Sequence, residues 1–372
     1  MRKFSVLLLL AIGIMPAIAQ KKVNFDQSFQ QKNNGKSRVE IAPVKELLHI
    51  MLAITKTGLD NDDMVNQKGT YYQDVLKHFK PFDNEPIIKT FDSLLNVSLY
   101  HYIFITGNAM THDFAGTKLK ANPNYLFPAQ AVAKLTVTTN PVATYKDQIA
   151  AFARKSNFQK FYKQHQAYYK QLITEYHAGA NLDRQWKWLE QNFKTRINNY
   201  LILCSPLING LNYTTKFEDQ DFTQILMVLP PLDNDPARTA RQNELFNTRV
   251  MFTEIDHNYV GGPSQTYKKD IDSAFKDRLV WVNDKTDGTY AYPNPLKVFD
   301  EYMTYGVFVL YCKDQYDAAS YQEARKDVIT LMADRGFPNM ERFVTALENV
   351  RAAAPDQKID DLYPRLLELL KQ

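Results

Sequence analysis

Residues 249–263, RVMFTEIDHNYVGGP, are the stretch of sequence that decides the fold. Apolar residues recur in it at intervals of three and four, which is the period of an α-helix. That spacing places Thr253, Glu254 and His257 on one face of the helix. The Gly-Gly-Pro run at 261–263 follows, and it predicts that the helix ends there.

The polar residues of this face match part of a zinc-binding signature. In H-E-x-x-H, two histidines four residues apart bind the metal, and the glutamate beside the first polarises the attacking water. Glu254 and His257 have the spacing of the glutamate and the second histidine, but Thr253 stands where the first histidine is required. A hydroxyl does not replace a neutral imidazole as a zinc ligand. The motif therefore lacks one ligand.

Further matches run over nearly the whole chain, from about residue 37 to about residue 330. They are Arg38-Val39-Glu40, Tyr71-Tyr72 with Phe79, Phe158 and Phe161 with His165 and Tyr169, Ser205-Pro206-Leu207, and Asn212-Tyr213. With residues 254–259, these positions resemble a family of secreted bacterial proteins of unknown function. Its members carry a complete H-E-x-x-H and are similar to gluzincin-type zinc metallopeptidases. The resemblance implies a zincin-like, mostly helical α+β fold, with a small sheet, an active-site helix and a helical C-terminal part.

The same resemblance implies the remaining metal ligand. In gluzincins the third ligand is a glutamate on a later helix, and the matching residue here is Glu301. The resemblance thus makes His257 and Glu301 the candidate metal ligands and Glu254 the candidate general base. Family members often have an arginine shortly after the ligand glutamate, whereas this chain has Thr304 and Tyr305 in that region.

The loss of one ligand should be severe. A catalytic zinc site uses three protein ligands, and a complete structural site contributes roughly 10–16 kcal/mol in total, so each ligand accounts for several kcal/mol. Asp256 is not a simple substitute, because it lies about 100° around the helix from His257. We therefore predict a pseudo-peptidase or peptide-binding scaffold in which zinc is weakly bound or absent. An active metallopeptidase with a non-standard metal site is the alternative.

A second metal hypothesis rests on repeated Glu-x-x-His pairs. Di-iron carboxylate proteins carry this pair on two helices of a bundle, with further glutamates from the other helices. The chain has two such pairs, Glu46 with His49 and Glu254 with His257. The apolar residues around the first pair also suit an ordinary amphipathic helix. A di-metal carboxylate protein is therefore a further alternative.

The N-terminus has the three parts of a secretory signal peptide. Arg2 and Lys3 give a positive start, residues 6–14 form an apolar run, and Ala17-Ile18-Ala19 offers a cleavage site. The run is shorter than the roughly 20 residues that span a bilayer. We expect a signal peptide at 1–19, export to the periplasm or the exterior, and no membrane anchor in the mature chain. A polar linker at 20–36 should lead to a single domain at 37–372, with a possible subdivision near 230–236.

The composition limits the classes of binding partner that the protein is expected to have. The formal net charge is only +4, and Lys and Arg form no stripe of the kind that follows nucleic-acid phosphates, so we expect no nucleic-acid partner. A peptide or protein is the expected substrate or ligand. The two cysteines, Cys204 and Cys312, lie in apolar runs, which favours buried thiols over a disulfide.

Periodicity predicts the other elements. Helices are expected at about 44–52, 72–79, 85–96, 145–195, 238–260, 264–277, 294–312, 319–335, 338–353 and 358–371. Strands are expected at about 97–106, 200–206 and 222–229. The aromatic residues spaced along 158–169 predict a core-facing stripe and not a ligand box.

Overall fold

The structure is a computed structural model that describes residues 20–132, 135–286 and 288–371. The predicted signal peptide at 1–19 lies outside the described residues. The α+β, mostly helical fold class is confirmed. Among the helices of the described ranges, none is both long enough and apolar enough to cross a membrane.

Helices make up most of the chain. The first ten are α1 (Gln27–Asn33), α2 (Pro43–Ala53), α3 (Lys56–Asp60), α4 (Gly69–Phe79), α5 (Pro86–Val97), α6 (His101–Gly107), α7 (Pro141–Lys155), α8 (Phe158–Gln164), α9 (Gln166–Gly179) and α10 (Leu182–Asn192). They are followed by α11 (Ala240–Thr266), α12 (Lys268–Ala274), α13 (Arg278–Trp281), α14 (Pro295–Gln315), α15 (Ala318–Asp334), α16 (Met340–Ala353) and α17 (Ile359–Leu370). Short 3-10 turns occur at Lys80–Phe82, Ala109–Thr111 and Thr289–Ala291.

The strands form one main sheet and two small hairpins. They are β1 (Lys36–Glu40), β2 (His112–Ala115), β3 (Lys118–Ala121), β4 (Ala131–Val132), β5 (Leu135–Thr136), β6 (Asn199–Cys204), β7 (Tyr213–Asp219) and β8 (Phe222–Leu229). The main sheet has the order β1-β6-β8-β7. β1, β6 and β8 are parallel, while β7 runs antiparallel to β8 and forms one edge.

The main sheet separates two apolar cores. Side chains alternate between the faces of a strand. Tyr200 and Ile202 of β6 therefore join the large core with the helices, whereas Leu201 and Leu203 join a smaller core on the other face. Parallel strands buried on both faces are nearly continuous apolar runs, which is why β6 and β8 were recognisable in the sequence.

α11 carries the H-E-x-x-H-like motif, and its position is fixed by packing. The helix begins at a capping box, in which Thr239 and Gln242 bond each other's backbone N–H. The Phe252 ring contacts Phe308 and Tyr311 of α14, at ring-centroid distances of 5.6 and 4.8 Å. The α11–α14 pair thus forms the base on which the candidate site lies.

The predicted end of this helix at 261–263 is wrong. α11 continues through the Gly-Gly-Pro run as far as Thr266. Proline lacks an N–H and removes one intrahelical hydrogen bond, but Pro263 is buried and its carbonyl accepts from Tyr267 N–H. Tyr363 of α17 also donates to the Val260 carbonyl, at 3.2 Å. Tertiary packing therefore stabilises a helix that the local sequence disfavours.

The strand predicted at 97–106 is also wrong, because this segment holds the end of α5 and most of α6. Tyr102 and Ile105 are buried at helical spacing, and the Thr106 hydroxyl donates to the Tyr102 carbonyl at 2.8 Å. Preference for strands among β-branched and aromatic residues depends on the surroundings. Here burial of one helical face outweighs it.

Residues 20–36 are not the polar linker that their composition predicted. They contain α1 and the first residue of β1. Phe25 is buried, and its ring packs on Phe222 and Tyr125 at 5.6 and 5.8 Å between centroids. Phe25 and the equally buried Val23 therefore attach a segment that is otherwise mostly polar.

The C-terminal helices α14 to α17 confirm the helices predicted at 294–312, 319–335, 338–353 and 358–371. Gly306 permits the close approach of α14 and α16, since a Cβ there would lie 2.9 Å from Leu347 and 3.1 Å from Phe343. Cys204 and Cys312 are buried free thiols, as predicted.

Candidate functional site

Thr253 and Glu254 occupy the middle of α11 but differ in their contacts. The Thr253 hydroxyl donates to carbonyls of its own helix, those of Arg249 at 3.1 Å and Val250 at 3.3 Å. The Glu254 carboxylate is half-buried and accepts from the Thr214 hydroxyl of β7 at 3.1 Å. Glu254 therefore connects the motif helix with the antiparallel edge of the main sheet.

His257 lies one turn further along α11 and is exposed. Its Nδ1 forms a hydrogen bond with the hydroxyl of Thr304, a buried residue of α14, at 3.2 Å. Nε2 has no hydrogen-bond partner among the described residues. A hydrogen bond to one ring nitrogen fixes the orientation of an imidazole and leaves the other nitrogen available to a ligand.

Glu301 of α14 is buried and forms an ion pair. Its Oε1 lies 2.7 Å from Arg335 Nη2, just beyond the end of α15. The Arg335 guanidinium lies 5.2 Å from the centre of the Tyr305 ring and donates to the Tyr292 hydroxyl at 3.0 Å. Arg335 is thus the basic partner of Glu301, although it belongs to a different part of the chain. Its distance along the chain explains why sequence reasoning missed it.

The contacts of these side chains do not fit a three-ligand zinc site. The Thr253 hydroxyl donates to a backbone carbonyl one turn earlier in α11, and the charge of the Glu301 carboxylate is neutralised by Arg335. Within the part of the chain that the structure describes, no three His, Cys, Asp or Glu side chains are grouped so that they could hold a metal ion. Among the described residues of the motif, His257 Nε2 and the second carboxylate oxygen of Glu254 have no hydrogen-bond partner, and two side chains do not make a three-ligand site. Weak or absent zinc binding stays a prediction.

Asp256 faces the core, about 100° around α11 from His257. It is fully buried, and neither carboxyl oxygen has a hydrogen-bond partner among the described residues. Burial raises the pKa of Asp256 well above its ordinary value, and the negative charges of Glu301 and Glu254 raise it further. The folded state therefore favours the protonated carboxyl group.

Replacing Asp256 with asparagine should stabilise the protein at pH 7 by about 1–3 kcal/mol, since the unfolded chain ionises Asp256 whereas the folded state has to keep it protonated, and asparagine carries no such cost. The folded pKa lies above the ordinary 3.8, so the destabilisation by Asp256 is absent below about pH 4 and grows as the pH rises. Urea unfolding at pH 4 and pH 7 measures the difference. Asp147→Asn, at an exposed residue of α7, is the control. A loss of stability at pH 7 would contradict this account.

A second polar cluster surrounds Glu46 and His49 on α2. Both residues are buried. Glu46 Oε1 accepts from the Tyr71 hydroxyl at 2.6 Å, and Tyr71 also bonds the Tyr169 hydroxyl at 2.7 Å. Burial raises the pKa of Glu46 to about 7, although the hydrogen bond from Tyr71 opposes this. Burial also lowers the pKa of His49 well below its usual value.

The two Glu-x-x-His pairs do not share contacts. Glu46 and His49 contact tyrosines from α4 and α6, namely Tyr71 and Tyr102, whereas Glu254 and His257 contact threonines from β7 and α14. The di-metal hypothesis requires the pairs to face each other across a bundle. None of these contacts supports it.

β7 exposes an edge beside the motif helix. Its outer side forms no backbone hydrogen bond with other described residues. Every second residue of an antiparallel edge strand directs its N–H and C=O groups outward. Lys216 and Glu218 are exposed and form an ion pair at 2.6 Å. The sequence did not predict this strand, because YTTKFED is largely polar.

Comparisons of the chain with protein-family models, with curated proteins and with solved structures find no match. The resemblance to gluzincin-type metallopeptidases therefore stays a prediction. The geometry defines a mostly helical protein with a half-buried carboxylate, an exposed histidine and an open sheet edge in one region.

Proposed function

We propose that the mature chain is an exported peptide-binding protein on a zincin-like scaffold, in which zinc hydrolysis is impaired or lost. The observation that carries the proposal is the hydrogen bond between Thr214, on the free edge strand β7, and Glu254 of the motif helix. A ligand paired with this edge would lie beside the residues of the degenerate motif.

A free strand edge is suited to an extended peptide. The peptide adds a strand to the sheet, and its main chain supplies hydrogen bonds that do not depend on its sequence. Exposed edges otherwise promote aggregation, and proteins protect them with charged residues such as Lys. Lys216 and Glu218 have that position on β7 and are exposed, whereas Phe217 between them is buried.

The contacts around the motif support binding over hydrolysis. Thr253 has no imidazole, and ligation by Glu301 would break its ion pair with Arg335. Glu301 is buried and Arg335 is one-third exposed, so loss of the pairing would leave a partly desolvated charge, which is destabilising. Glu254 keeps a hydrogen bond from Thr214 that holds the carboxylate in place without a metal.

Thr215→Pro and Lys216→Pro form a matched pair of tests for the edge. Neighbouring strand residues direct their N–H groups to opposite sides, and proline has no N–H. One of the two substitutions removes a hydrogen bond to β8 and lowers the melting temperature, whereas the other removes only an outward N–H donor. We expect the variant that loses only the outward donor to bind a pool of labelled random decapeptides about tenfold more weakly than the parent, as for a lost hydrogen bond of about 1.4 kcal/mol.

Fluorescence anisotropy measures the affinity of both variants and of the parent. The variant with the unchanged melting temperature is the informative one. If it retains the affinity of the parent, peptides do not pair with β7. If the parent itself binds no peptide of the pool, the proposed function is wrong.

A further inference from the structure

A groove of about 610 Å³ lies between α11, α14 and α15. Arg249 lines it and is one helical turn before Thr253, which is about 6 Å along the helix axis. Cavities of roughly 300–1,000 Å³ are of the size that proteins use for small ligands. The groove therefore adjoins the candidate site and has room for a ligand group.

Arg249 differs from the other arginines around it. Arg184, Arg238, Arg241, Arg325 and Arg335 each form an ion pair with a carboxylate. No carboxylate of the described residues forms an ion pair with Arg249. Its guanidinium lies 5.1 Å from the centre of the Phe246 ring and beside the Tyr305 hydroxyl. The side chain is thus held in place without a direct ion pair, and the nearby Asp327 carboxylate compensates its charge only in part.

The surroundings of Arg249 increase the need for an anion. The residue is half-buried, and burial lowers the pKa of Arg249. Arg335 places a second guanidinium next to the same Tyr305 ring, and Glu301 neutralises only that one. A partly desolvated cation that no carboxylate contacts directly is costly. A planar carboxylate fits the fork of N–H donors on a guanidinium.

The opposite wall of the groove carries the other sign of charge. Glu323, Asp327 and Asp334 of α15 line it, with Lys326 as the basic residue on the same helix. Asp327 forms no ion pair within the described ranges. Burial and the charge of Glu323 raise the pKa of Asp327, whereas the charge of Arg249 opposes the shift. A ligand that brings a carboxylate to Arg249 and a positive charge to α15 complements both walls.

We infer that this groove binds the C-terminal residue of a basic-ended peptide, with its carboxylate at Arg249 and its Lys or Arg side chain at the acidic face of α15. The inference rests on the proposed function and names its ligand class. Arg249 and Glu254 are five residues apart, or about 7.5 Å along α11, and they point about 140° apart around it. A peptide that contacts both β7 and the groove therefore has to pass around part of the helix.

The test uses N-terminally labelled hexapeptides that are identical except at the last residue. They end in Lys, Leu or Glu as free acids, and the Lys peptide is also made as its C-terminal amide. We expect the amide to bind the parent protein about 10-fold to 100-fold more weakly than the acid, since a charge-assisted, bidentate pair is lost. The order of affinity among the free acids should be Lys, then Leu, then Glu.

Arg249→Gln should remove the difference between acid and amide, while Arg241→Gln should preserve it. Arg241 is the matched control, because it lies on the same helix outside the groove and pairs with Glu244 at 2.7 Å. Circular dichroism checks the fold of both variants. Equal affinity of the parent for acid and amide overturns the groove inference and leaves the proposed function standing. Binding of none of the peptides overturns both.

Discussion

Replacing Lys45 with methionine should stabilise the folded protein by roughly 2–4 kcal/mol at pH 7, a large effect for one residue. Lys45 of α2 is fully buried between the cores. Its Nζ has one hydrogen bond, to the Thr106 carbonyl at 3.1 Å, and lies 5.7 Å from the centre of the Tyr213 ring. Methionine has a similar shape and needs no counter-charge.

The dependence of this gain on pH has a definite sign. Burial lowers the pKa of Lys45 from 10.5 to about 7, although the charge of Glu46 opposes the shift. The unfolded chain therefore holds the proton more tightly, and the destabilisation by Lys45 is full below about pH 7. It fades as the pH rises towards 10.5. The gain from Lys45→Met should follow the same course.

Urea unfolding at pH 6 and pH 10 checks both the size and the sign of the effect. Lys160→Met is the control, because Lys160 of α8 is exposed and forms no ion pair with other described residues. We expect the control to change the free energy of unfolding by less than about 0.5 kcal/mol at either pH. A gain for Lys45→Met that grows from pH 6 to pH 10 would contradict this explanation.

Replacing Thr253 with histidine should raise the affinity for zinc by about 100-fold over the parent, which corresponds to one ligand worth several kcal/mol. The new imidazole would stand four residues before His257 on the same face of α11. His257 already has Nδ1 bonded to Thr304 and Nε2 free. Only 8% of the Thr253 surface is exposed, so a larger side chain would have to turn towards the solvent side of the helix.

The zinc titration needs two further variants. Thr253→Asn changes the same position without adding a metal ligand and should bind zinc no better than the parent. Thr253→His combined with Arg335→Gln frees Glu301 from its ion pair, and it should bind zinc more tightly than Thr253→His alone. If Thr253→His and Thr253→Asn bind equally, α11 and α14 are not arranged as in a zincin. If the parent binds stoichiometric zinc and cleaves peptides, the pseudo-peptidase interpretation is wrong.

The strands show what the sequence could predict of the fold. β6 and β8 are central and buried on both faces, so their apolar runs were clear. β1 and β7 lie at the two edges, and their sequences KSRVE and YTTKFED are mostly polar. The conformation of β1 comes from pairing with β6, which is far along the chain, and local sequence does not contain that information. β7 pairs with β8 across the tight turn that joins them, but its polar sequence did not indicate a strand.

In the candidate site too, local features could be predicted from the sequence and features that depend on tertiary packing could not. Helical spacing correctly placed Glu254 and His257 on a helix, because the period of a helix is a local property. The ion pair between Glu301 and Arg335 and the position of Arg249 in a groove depend on how α11, α14 and α15 pack together. One signal was nevertheless present, since Arg249 is four residues before Thr253 and shares its face of the helix.

The central claim is that a peptide pairs with the outer edge of β7, and amide hydrogen exchange tests it most directly. The mature protein is exchanged with and without a saturating pool of random decapeptides. We expect alternate amides of Tyr213–Asp219 to exchange at least about tenfold more slowly with peptide, as hydrogen-bonded amides do, while amides of the opposite edge strand, Lys36–Glu40, keep their rates. Unchanged rates in β7, under conditions in which the peptides are bound, would contradict the account.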